Sequence, residues 1–279
     1  MSTTQTKPAM SLEKAQKARR KFLQSLGLTV TFAGIPLLGF IPVAAANRPP
    51  RLRPPGALNE RDFLASCIKC GQCVQVCPVQ AIKLADIVDG FGIGVPHIDA
   101  RTQACDFSCD AVQCILACPT GALTYTAPDF HAPRAGASLA AAPILKAKAN
   151  DPEPTLNLKE RMGVARLARP ESCLAIQGKG FKGQTRGPAF KGELRYLEVD
   201  RRKPIAVRNH PYDLELCDLC VRECPLMDAI ELRPVKDAHG VERMTPTVLE
   251  PCIGCGVCEM VCPAKPAAIV IDPQAVWKA

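Results

Sequence analysis

The chemistry of this sequence is concentrated in its sixteen cysteines. In "CIKCGQCVQVCP", Cys67, Cys70 and Cys73 stand two residues apart, Cys77 follows after three more, and Pro78 closes the run. "CIGCGVCEMVCP" repeats that spacing at Cys252, Cys255, Cys258 and Cys262 before Pro263. "CDFSCDAVQCILACP" is wider, with Cys105, Cys109, Cys114 and Cys118 before Pro119. "PYDLELCDLCVRECP" has only Cys217, Cys220 and Cys224 before Pro225, and Leu214 stands where a first cysteine would be. Neighbouring sulfurs this close rarely pair in relaxed disulfide geometry. Converging on a metal centre is easier. Three thiolates on a tight loop can point at one centre, while two at i and i+4 share one face of a helical turn and can serve two.

The first and last runs have the C-x2-C-x2-C-x3-C-P spacing of bacterial two-cluster iron-sulfur domains, whose fourth Cys ligates the other cluster of the pair. Crossing the ligands in that way assigns Cys67, Cys70, Cys73 and Cys118 to site 1. It assigns Cys77, Cys105, Cys109 and Cys114 to site 2. Downstream, Cys224, Cys252, Cys255 and Cys258 make site 4, which leaves Cys217, Cys220 and Cys262 one thiolate short. One cysteine remains, Cys173 in "PESCLAIQG". It completes site 3 and supplies the thiolate that Leu214 cannot. The expected cofactors are therefore four 4Fe-4S clusters. Two other readings stand beside this one: a three-ligand cluster with Cys173 as an idle buried thiol, and a zinc or disulfide structural protein. Zinc knuckles, however, use two separated CxxC pairs, not this run.

The elements that must position these cysteines are short. One Trp and three Tyr are too few to build large aromatic cores, so something other than bulky side chains organises the chain. "AIKL" after Pro78 reads as a strand and "IGVPHID" as its hairpin partner. Val74, Val76, Ile115 and Leu116 are the expected apolar shield around the first pair of sites. The chain divides into a signal or anchor at 1–46, a first cysteine-rich domain at 47–126, an Ala/Pro-rich linker at 127–160 and a second domain at 161–279. The expected class is α+β, with two bacterial-ferredoxin-like dicluster domains in tandem. About 40 residues separate Cys173 from Cys217, an insertion at about 177–213. Its "ELRYLEV" and "KPIAVR" can form a hairpin, and the whole is expected to be a solvated surface excursion.

The N-terminus places Arg19 and Arg20 before an uncharged stretch that ends in Ala44, Ala45 and Ala46. Basic region, apolar region and small-residue cleavage site together make a twin-arginine signal. An uncharged run of this length could also remain as a membrane anchor, although Pro36 and Pro42 interrupt a continuous helix. That export route carries folded proteins, which suits a cofactor installed before export. Residues 1–47 hold +5 of the chain's net +8. Four cubanes with their thiolates would add about −8, so the basic balance is no argument for nucleic acid.

Other candidates are weaker. Gly178, Gly180 and Gly183 fit GxGxxG, but no strand pattern precedes them and no helix pattern follows. His97, His131, His210 and His239 are isolated. No Ser/His/Asp set or carboxylate pair suggests substrate chemistry, and no catalytic residue is expected.

The signal, the four runs, "RTQACDFSCDAVQCILACPTGAL" and "RMGVARLARPESCLAIQG" together resemble the MauM/NapG family of ferredoxin-type proteins, over nearly the whole chain. The resemblance implies four 4Fe-4S clusters in a periplasmic protein between the membrane quinol pool and a periplasmic oxidoreductase system of the nitrate reductase or methylamine utilisation type. It implies as partners a membrane quinol-oxidising ferredoxin-type protein, a periplasmic cytochrome or reductase, and the twin-arginine translocase. An uncleaved signal would hold the protein to the periplasmic face of the inner membrane. The alternative role is a fixed electron-transfer subunit of a larger molybdenum-type oxidoreductase. Two departures from the family pattern stand out: the extra residue between Cys105 and Cys109, and the long insertion.

Overall fold

A computed structural model describes residues 16–17, 19–32, 50–86, 89, 92–109, 112–125, 162–195, 204–226, 228–236 and 240–275. The linker expected at 127–160, the small-residue stretch at 44–46, His131 and His239 lie outside the described residues.

The helix α1 (19–32) belongs to a unit of its own. Its Phe22, Leu23, Leu28, Val30 and Phe32 are all exposed. The hydroxyls of Ser25, Thr29 and Thr31 donate to the carbonyls of Phe22, Ser25 and Gly27 at 2.9, 2.8 and 2.7 Å. Such back-bonding satisfies polar side chains within an apolar helix. Among the described residues no helix is long and apolar enough to cross a membrane.

Residues 49–86 and 92–279 form the other unit, which contains two halves built to one plan. In the first half α2 (Glu60–Ser66) leads into the first cysteine run, α3 (Gln72–Gln75) carries Cys73, β1 (Ile82–Leu84) and β2 (Pro96–Ile98) form an antiparallel hairpin, and α4 (Gln113–Leu116) carries Cys114. The register, Ile82 opposite Ile98 and Leu84 opposite Pro96, is the hairpin that the sequence pattern anticipates. Isolated bridges Leu52–Ile98 and Ala57–Leu123 close this half.

The second half opens with β3 (Val164–Leu167). The insertion contributes β4 (Phe181–Gly183), β5 (Glu193–Leu194), β6 (Ile205–Ala206) and β7 (Tyr212–Leu214), paired as β4–β7 and β5–β6. Then follow α5 (Leu219–Arg222), the long hairpin of β8 (Ile230–Lys236) and β9 (Glu242–Val248), α6 (Val257–Val261) and β10 (Ile269–Asp272). Pro234 and Pro246 are tolerated in β8 and β9 because a two-stranded sheet has only edge strands, whose outward N–H positions carry no ladder bond. β10 returns to pair with β3, setting Asp272 opposite Val164 and Ile269 opposite Leu167.

The core consists of small and medium apolar side chains. Phe63, Met162, Leu219, Ile253 and Met260 are its largest fully buried members. Of the expected shield, Ile115 is buried and Val74, Val76 and Leu116 are half-buried.

The structure corrects one expectation. The described part of the insertion, residues 177–195 and 204–213, is not a solvated excursion. The β5–β6 pairing expected from "ELRYLEV" and "KPIAVR" is present, but it rests on the first half, with Leu194 and Val207 buried. Gln103 Nε2 donates to the Glu193 carbonyl and Gln103 Oε1 accepts from the Glu193 amide, both at 2.8 Å. The Arg195 amide donates to Asp106 Oδ2 at 3.0 Å, and its guanidinium donates to the Ser108 carbonyl at 3.1 Å. These bonds satisfy backbone groups that a free loop would leave to water.

Candidate iron-sulfur centres

Local structure aims each cysteine run. The Asn59 side chain caps α2 by accepting from the Asp62 amide at 3.1 Å, a contact typically worth about 1 kcal/mol. Phe63 anchors the helix in the core, and the Cys67 amide bonds to the Phe63 carbonyl at 2.9 Å. The first thiol of the run is therefore held by a fixed helix end. In the first and last runs the residue two after the first cysteine takes a left-handed conformation, Lys69 at φ 60° and Gly254 at φ 70°. The same backbone path serves both loops.

None of the sixteen cysteines is paired in a disulfide. Cys67, Cys70, Cys73 and Cys118 line one cavity. Cys224, Cys252, Cys255 and Cys258 line another. Cys173, Cys217, Cys220 and Cys262 line a third. The structure thus places Cys173 with the three thiols that the spacing left one short. The fourth set shows in its electrostatics. Burial, then Cys109, then Cys77 push up the Cys114 thiol. Burial, Cys109 and Asp106 push up Cys105. Burial raises Cys109, with a further contribution from Cys77.

The insertion is what brings Cys173 to Cys217. β4 and β7 pair at its base, with Phe181 opposite Leu214, and the Cys217 amide donates to the Lys179 carbonyl at 3.1 Å. Gly180 makes the approach possible, because a Cβ there would lie 2.1 Å from the Leu214 carbonyl oxygen. The GxGxxG coincidence therefore belongs to a strand pairing, and residues 184–192 directly after it form no helix.

The donor set suits a thiolate-bound cluster. Burial pushes Cys73, Cys217 and Cys224 up to about 11, so these thiols ionise only where a cation stabilises the charge. Amide donors face the sulfurs: Ala81 to Cys77 at 3.3 Å, and Leu123 to Cys118, Ala165 to Cys252 and Ala268 to Cys262 at 3.4 Å. At Cys118 burial acts upward, but amide bonds from Leu123, Thr120 and Ala122 with the Thr120 hydroxyl bring the thiol below its ordinary range. Among the described residues no three His, Cys, Asp or Glu side chains are gathered to hold a single metal ion. Three of the quartets instead each line a cavity of their own.

Comparison with known proteins agrees with this geometry. A 4Fe-4S dicluster domain model matches residues 66–122 and 215–265. The ferredoxin-type protein NapG of Escherichia coli (strain K12) is 32% identical over 272 residues, covering 95% of this chain and 90% of the relative. The chain belongs to the NapG/MauM family of ferredoxin-type proteins. Within the family, the methylamine utilization ferredoxin-type protein MauM of Methylorubrum extorquens is 31% identical over 262 residues, 92% of this chain and 90% of its own length. MauM of Methylobacillus flagellatus is 30% identical over 274 residues, 98% and 87% respectively. No solved structure matches.

Sequence reasoning missed the residues that join the halves. Arg101, Gln103, Asp106 and Arg195 bond across 85 residues or more. Long-range polar contacts of this kind leave no periodic signal.

Proposed function

We propose that this protein is a periplasmic electron carrier holding four 4Fe-4S clusters on the four cysteine quartets. It passes electrons from the membrane quinol pool, through a membrane quinol-oxidising ferredoxin-type protein, to a periplasmic cytochrome or reductase of the nitrate reductase or methylamine utilisation type. Arg19 and Arg20 direct the folded chain to the twin-arginine translocase. The carrying observation is the recruitment of Cys173 into the cavity of Cys217, Cys220 and Cys262, which turns fifteen motif cysteines into four full sets.

A 4Fe-4S cluster supplies one-electron chemistry. The chain's residues supply everything around it. Phe63 and Leu123 at site 1, Leu167 and Ile269 at site 3, and Ile253 and Ile271 at site 4 exclude water. With clusters bound, the amides of Ala81, Leu123, Ala165 and Ala268 would favour negative charge on the sulfurs they face and so would raise the potential of those sites. The test is metal analysis of anaerobically purified protein. The expected content is about sixteen irons and about sixteen acid-labile sulfides per chain, four per cubane. A reproducible value near half of that, with no loss during purification, overturns the four-cluster reading.

A further inference from the structure

Within each half, paired helical turns tie two sites together. Cys73 of site 1 and Cys77 of site 2 share one turn, Cys114 and Cys118 share another, and α3 packs on α4. Cys220 and Cys224 stand in the same relation to Cys258 and Cys262, and α5 packs on α6. The joint between the halves is formed elsewhere. The Cys105 amide donates to the Cys255 carbonyl at 3.2 Å, linking a cysteine of site 2 directly to one of site 4.

The surroundings hold that joint closed. The Ala104 amide donates to Met260 Sδ at 3.2 Å, and Ala104 is fully buried. Gly256, at φ 94°, lies so close that a Cβ there would be 2.6 Å from the Ala100 Cβ. The Arg101 guanidinium donates to the carbonyls of Glu259, Cys262 and Ala264 at 2.5, 2.8 and 2.7 Å, gripping the end of α6. Its own carbonyl accepts from Arg186 of the insertion. Small residues at the contact and charged bonds around it bring the two inner quartets together.

We propose that electrons cross between the halves at the Cys105–Cys255 contact, so that the four sites form a single relay in the order 1, 2, 4, 3. This rests on the four-cluster reading above. Quinol is the ultimate reductant. In the crossing step one electron leaves the first half and enters the second, with no bond and no proton exchanged. Sites 1 and 3 are then the ends of the relay, and Cys70 of site 1 is the exposed one among the sixteen cysteines.

The experiment uses dithionite-reduced holoprotein and electron paramagnetic resonance, with iron counted in every sample. Magnetic interaction between clusters of the two halves is expected in the unsubstituted protein. Cys224→Ala, which strips a ligand from site 4, should abolish that interaction while leaving the site 1–site 2 interaction intact. Cys173→Ala, which strips site 3, should leave it in place. Loss in Cys173→Ala with retention in Cys224→Ala would put site 3 at the joint and overturn the order, and equal loss in both would do the same. Hydrogen exchange on the unsubstituted holoprotein gives a check free of folding defects. Peptides containing the Cys105 amide should exchange slowly, and exchange as fast as an open loop overturns the contact. An iron content near half the expected value would instead sink the four-cluster reading, which separates the two failures.

Discussion

Gln103 and Glu193 are bonded to each other twice, the Gln103 side-chain amide standing in for a neighbouring strand against the backbone of Glu193. Each bond is 2.8 Å long and spans 90 residues of sequence. A side chain is here doing what a β-ladder does elsewhere, at the point where the insertion meets the first half.

Replacing Gln103 with Leu should therefore loosen the insertion without touching a cysteine. Both Glu193 backbone groups would lose their partners, at about 1–3 kcal/mol for each one left buried and unsatisfied. The expected outcome is faster proteolysis within residues 177–213 at unchanged iron content. Equal resistance to protease would show that Gln103 does not hold the insertion.

Cys173→Ala should remove one cluster's worth of iron, about four of about sixteen, or leave a three-iron cluster visible by electron paramagnetic resonance in the oxidised protein. The first half should keep both of its sites. Full iron content with an unchanged reduced spectrum would make Cys173 a bystander.

Gly180→Ala should reproduce much of that loss with every cysteine in place. The added methyl meets the Leu214 carbonyl at 2.1 Å, a backbone atom that cannot swing aside, and overpacking of this kind costs about 1–3 kcal/mol. Opening β4 from β7 separates Cys173 from Cys217. Iron analysis on the variant, compared with Cys173→Ala, checks the link. Normal iron would mean that the β4–β7 pairing is dispensable for site 3.

Changing both Arg19 and Arg20 to Lys keeps the charge of the N-terminal segment and removes its guanidinium pair. If the segment is read by the twin-arginine translocase, cell fractionation should find the iron-loaded protein retained in the cytoplasm. Undiminished export would assign the segment to another route.

Much of the candidate site was legible because the spacing that suits iron-sulfur ligation is written locally. Cys67 to Cys77 and Cys252 to Cys262 declare themselves within eleven residues each. Cys173 was reachable only by counting, since nothing around it resembles a run. The β1–β2 hairpin was legible from alternation next to Pro78. The role of the insertion was not. Its Lys and Arg content has the composition of a solvated loop, while the contacts that seat it, Gln103 with Glu193 and Asp106 with Arg195, pair polar side chains with distant backbone and have no period to detect. The β3–β10 pairing was hidden for a related reason: two four-residue strands separated by 101 residues carry no local sign that they belong together.

That pairing also bears on how the chain is made. By Leu123 the first half has been synthesised with all eight of its cysteines and the partner of Ala57, so it can close while the remainder is still being translated. The second half cannot. β3 waits for Ile269–Asp272 and Cys173 waits for Cys262, so this half stays open until those later residues have been made. On the four-cluster reading, cofactor loading would thus be staggered, earlier for the first half and later for the second, and that interval is when the open thiols of the second half are most vulnerable to oxidation.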